Sequence, residues 1–61
     1  MNKQYHFIDA QTDKFGDRHT LWHVGNYHYQ IECRSTGNKI DLPDTSFEQA
    51  KQVFQDVLVS Y

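Results

Sequence analysis

A chain of 61 residues with one cysteine, eight acidic and six basic side chains, and a formal net charge of −2 excludes several protein classes. It is one domain at most, spanning residues 1–61, and a lone cysteine cannot build an internal disulfide framework. No apolar run approaches the ~20 residues of a membrane span, and Met1 to His6 lacks the apolar centre of a signal peptide. A cytoplasmic protein with no membrane partner is the default expectation. The basic residues Lys3, Lys14, Arg18, Arg34, Lys39 and Lys51 are dispersed, with no stripe suited to neutralising phosphates. Chains this short bury only about 60% of their unfolded surface. Four Tyr, four Phe and one Trp supply the large side chains that a small core needs.

Residues 4 to 10 read as a first strand, and 11 to 17, with turn residues around Gly16, as a loop. That loop leaves open whether Tyr5 and Phe7 or His6 and Ile8 face inward. Residues 19 to 24 and 27 to 34 read as a hairpin closed by Gly25-Asn26, a two-residue turn signal. Pairing about that turn sets Val24 opposite Tyr27 and Trp22 opposite Tyr29, with Ile31 and Cys33 on the same face. A second turn, Ser35 to Asn38, leads to a short strand over 39 to 42. Its expected register sets Cys33 opposite Ile40 and Ile31 opposite Leu42. The same register opposes Glu32 to Asp41 and Arg34 to Lys39, a cost that the diagonals Glu32 to Lys39 and Arg34 to Asp41 partly compensate, and a two-residue shift would keep the same faces.

Pro43 ends the sheet because it cannot donate a ladder hydrogen bond. Thr45-Ser46-Phe47-Glu48 matches a capping box. Beyond it Phe47, Ala50, Val53, Phe54, Val57, Leu58 and Tyr61 recur at helical spacing, while Glu48, Gln49, Lys51, Gln52, Gln55 and Asp56 occupy the other side. A helix of ~15 residues spans ~22 Å and suits laying across a short sheet. The expected fold class is α+β: a three- to four-stranded antiparallel meander with one C-terminal helix across one face.

With the helix on the Trp22 face, the opposite face is expected to carry His19, Leu21, His23, His28, Gln30, Glu32, Arg34, Lys39 and Asp41. His23 would then lie opposite His28, and His19 opposite Glu32. Adjacent imidazoles disfavour double protonation, so this face would be strained below about pH 6. They also suit transition metals, but a tetrahedral site needs three or four converging side chains, and only His6 offers a third. A solvated polar face is preferred, with no metal and no cofactor. Cys33 sits on the core face away from His23 and His28, so no Cys-His dyad is expected. No phosphate-binding glycine loop, serine elbow or paired-cysteine motif occurs. The chain is not expected to be an enzyme.

Three antiparallel strands followed by a helix, with the runs Leu21-Trp22-His23-Val24-Gly25-Asn26-Tyr27-His28-Tyr29, Ser35-Thr36-Gly37-Asn38-Lys39 and Phe47-Glu48-Gln49-Ala50, resemble a known family. They look like the arm-type DNA-binding domains at the N-terminus of tyrosine integrases, over about residues 20 to 58. In those domains the exposed sheet face enters the major groove. The resemblance implies that role for His23, His28, Gln30, Glu32, Arg34 and Lys39. Those domains are usually basic, whereas here Arg34 and Lys39 are balanced by Glu32 and Asp41. Fold analogy alone does not transfer function.

The functional expectation is a small non-catalytic protein-interaction module, an adaptor or inhibitor of the kind phages and mobile elements often encode. It would bind a macromolecular partner through His23, His28, Gln30, Glu32, Arg34 and Lys39. Mixed charge with aromatic residues suits a protein partner. A DNA-binding module of integrase-arm type is the alternative. Tyr61 and Val59, at the edge of the helical stripe, would serve self-association into a homo-oligomer.

Overall fold

Alternation of apolar and polar residues builds the strands, and a 3.6-residue stripe builds the helix. The structure, a computed structural model, describes residues 5–60. Strands β1 (His6–Thr12), β2 (Arg18–Gly25), β3 (His28–Cys33) and β4 (Lys39–Leu42) form one antiparallel meander, followed by helix α1 (Phe47–Ser60) across one face. The fold is α+β, as expected. Gln4 and Tyr61, placed by the sequence in the first strand and on the helical stripe, lie outside the described residues.

The first strand runs two residues beyond its expected end because Asp13 builds a tight turn. Its Oδ1 accepts the backbone N–H of Phe15 and of Asp17, at 2.9 and 3.0 Å, and its own N–H donates to the Asp17 carbonyl at 2.8 Å. Gly16 takes φ 90°, a conformation open to glycine at no steric cost. Thr12 therefore pairs directly with Arg18.

The central hairpin turns one residue later than Gly25-Asn26 suggests. Gly25 pairs with His28, Asn26 and Tyr27 form the turn, and the ladder is irregular between His23 and Gly25, around Val24. Tyr27 occupies the left-handed region at φ 53°. His23 consequently pairs with Tyr29, Trp22 with Gln30, Leu21 with Ile31, Thr20 with Glu32 and His19 with Cys33. One residue of offset exchanges the two faces of a strand. Trp22 therefore leaves the expected core face, and His19, Leu21 and His23 enter it. His23 does not face His28, so the expected strain between those two imidazoles has no geometric basis.

The last strand adopts the two-residue shift: Tyr29 pairs with Leu42, Gln30 with Asp41, Ile31 with Ile40 and Glu32 with Lys39. Glu32 thereby faces Lys39 in place of Asp41, and Asp41 faces the neutral Gln30. The helix cap is also displaced by one residue. The Gln49 N–H donates to Ser46 Oγ at 3.2 Å and the Ser46 N–H to Gln49 Oε1 at 3.3 Å, while the Thr45 hydroxyl donates to the Pro43 carbonyl. The capping box is Ser46-x-x-Gln49.

Leu21, Tyr29, Ile31, Ala50 and Phe54 form the buried core, with Ile8, Leu42, Val53, Val57 and Leu58 packed around it. Each fully buried large apolar side chain contributes about 1.5–3 kcal/mol. Glu48, Gln49, Lys51, Gln52, Gln55 and Asp56 line the exposed side of α1.

Candidate interaction face

Directly opposed residues on antiparallel strands share a face, so the registers define what the helix leaves uncovered. One row crosses all four strands: Phe7, Trp22, Gln30 and Asp41. Thr20, Glu32 and Lys39 form a parallel row beside it, and Arg18 lies further along β2.

Aromatic side chains dominate the β1 side of this face. Tyr5 and Phe7 set their rings at 82° to that of Trp22, with centroids 6.1 and 6.0 Å away. Phe7 is 61% exposed and Tyr5 43%. Trp22 is half-buried, and its indole N–H donates to Glu32 Oε1 at 3.3 Å, which fixes the ring along the sheet. On the β4 side His28 Nε2 lies 2.6 Å from Asp41 Oδ1. An ionised carboxylate only accepts, so Nε2 is the donor.

Of the six residues singled out from the sequence, His28, Gln30, Glu32 and Lys39 share this face. Arg34 is exposed in the turn beyond β3, its backbone N–H donating to the Arg18 carbonyl at 2.9 Å. His23 lies on the helix side, corrected by the shifted hairpin register. Its ring stacks on Tyr29 at 4.9 Å and 34°, with His6 at 6.2 Å on the other strand. The aromatic residues that share the face, Tyr5, Phe7 and Trp22, escaped sequence reasoning. Their signal was the apolar pair at i and i+2 on the first strand, which needed a register before it could be placed.

A second polar cluster is buried at the other end of β2. His19, 1% exposed, donates from Nε2 to Asp13 Oδ2 at 2.8 Å. That hydrogen bond holds the Asp13 carboxyl below the usual aspartate value, against the opposing effect of burial and with help from the Asp17 and Phe15 amides. His19 and Cys33 are cross-strand partners, and both are buried. The expected separation of Cys33 from His23 therefore does not hold, and His19 joins them on the core face, while His28 stays on the other face as expected. Among the described residues no three His, Cys, Asp or Glu side chains converge as metal ligands. Nor is any described helix long and apolar enough to cross a membrane. Comparison with protein-family models, curated proteins and solved structures finds no significant match to this chain.

Proposed function

We propose that this chain is a small non-catalytic protein-interaction module, an adaptor or inhibitor, that docks a partner protein on its helix-free sheet face. The observation that carries the reading is the cluster of exposed Tyr5 and Phe7 with half-buried Trp22 on the side of the sheet that the helix does not cover. Aromatic anchors ringed by polar residues are the usual composition of an interface centre. Gln30, Glu32, Lys39, His28 and Asp41 supply that polar surround. A major-groove role is the weaker reading, because Glu32 and Asp41 on the same face repel phosphates.

Affinity capture from native-host lysate tests the docking face. We expect a protein retained by the wild-type chain and by Gln52→Ala, on the outer side of α1, and lost with Phe7→Ser. Equal retention by Phe7→Ser, or no retained protein, counts against the reading. A duplex shifted at ~50 mM salt and released steeply as salt rises would favour DNA instead.

A further inference from the structure

We propose that Tyr5, Phe7 and Trp22, with Glu32, form a seat for an arginine side chain of the partner protein; this rests on the docking reading above. Aromatic ring faces carry negative charge density, and a cation within about 6 Å of a ring centroid is attracted to it. Two rings stand at 82° to the Trp22 indole on centroid separations of 6.0 and 6.1 Å, so faces of different orientation lie close together.

Local charge favours the same ligand. The Trp22 N–H, the positive edge of the indole, is turned onto Glu32, whose carboxylate stands beside the rings, whereas the Asp41 carboxylate is already engaged by His28. Arg18 and Lys39 share the face without occupying the rings: among the described residues neither forms an ion pair or stacks on the cluster. Lys39 stands opposite Glu32, and Arg18 opposite Thr12.

Elsewhere the chain shows what its exposed phenyl rings accept. Lys14 lies 5.4 Å from the Phe15 centroid, and Lys51 lies 5.3 Å from that of Phe47. Among the described residues the Tyr5, Phe7 and Trp22 group has no such cation, and it has a carboxylate beside it. A guanidinium suits this seat better than an ammonium: its plane stacks on an aromatic face while its fork reaches a carboxylate.

Trp22 is the chain's one tryptophan, so its emission, excited where tyrosine is silent, reports the seat directly. The full chain is titrated at constant ionic strength with N-acetyl-arginine amide and with its neutral isostere N-acetyl-citrulline amide. We expect a saturable emission change with arginine and binding at least about threefold weaker with citrulline. Glu32→Gln keeps an acceptor for the indole N–H but removes the charge, and should weaken arginine by about the same factor with an unchanged circular dichroism spectrum. Equal response to the two ligands, or no saturable response, overturns the seat. Failure of arginine alongside loss of the captured protein in Phe7→Ser refutes the seat and leaves the docking face standing. Retention by Phe7→Ser refutes the docking face itself.

Discussion

Asp13 shows how one side chain links a turn, a buried polar pair and a pH dependence. One carboxylate oxygen closes the β1–β2 turn through two backbone N–H groups, and the other accepts from buried His19. The His19 hydrogen bond is the main reason its pKa falls below 3.8. A depressed carboxylate pKa means that the unfolded chain binds the proton more readily than the folded one. Its stabilisation is therefore complete above the unfolded value and is lost as pH falls through the folded one. Asp13→Asn should be less stable than wild type near neutrality, with the gap narrowing below about pH 4. Thermal unfolding followed by circular dichroism at a series of pH values checks this. A gap that stays constant from about pH 7 to about pH 2 would show that ionisation of Asp13 contributes nothing.

Two overlapping capping boxes, Thr45-x-x-Glu48 and Ser46-x-x-Gln49, compete for the start of α1, and the geometry selects the second. Ser46→Ala should cost about 1 kcal/mol, and Thr45→Ala no more than about 0.5 kcal/mol, in urea denaturation. The opposite order would return the cap to Thr45. The reason for the displacement is tertiary: Asp44 takes φ 50°, and the Thr45 N–H is committed to the Tyr27 carbonyl at 2.7 Å. Elements whose pattern is unambiguous were legible from sequence. The stripe from Ala50 to Leu58 and the alternation of Tyr29, Ile31 and Cys33 each allow one orientation. Strand β2 is different, because Leu21 supplies a large apolar residue to one face and Trp22 to the other. Gly25-Asn26 predicts one orientation for it, and a turn one residue later reverses that orientation. What favours the observed choice is long-range: Asp13 satisfies His19 inside, while Tyr5 and Phe7 meet Trp22 outside. Four of the six candidate residues share the helix-free face, because His28, Gln30 and Glu32 lie on β3 and Lys39 on β4, whose faces are legible from sequence, while Arg34 falls in the turn beyond β3. His23 was lost with β2.

At the scale of the whole molecule, a domain this small commands no more than ~3–5 kcal/mol of net stability, so the burial of one side chain decides whether it folds. The edges of the sheet are managed accordingly. On β1 the register breaks between Phe7 and Asp9, and the Asp9 carboxylate takes the Ala10 N–H at 2.8 Å. A bulged edge whose amide is already occupied is a poor template for another strand. That arrangement separates the residues that hold the fold from those on the helix-free face. Leu21 is fully buried beneath α1, so Leu21→Ala should cost about 2–5 kcal/mol and leave much of the chain unfolded. Trp22, though much larger, is only half-buried and rests on two exposed rings, so Trp22→Ala should cost less than Leu21→Ala and remain folded. The hairpin closed at Gly25-Asn26 demands the reverse order, with Trp22 indispensable and Leu21 expendable. Circular dichroism of the two variants across a urea series distinguishes them. A folded Leu21→Ala beside an unfolded Trp22→Ala would overturn the observed register, and with it the docking face built upon it.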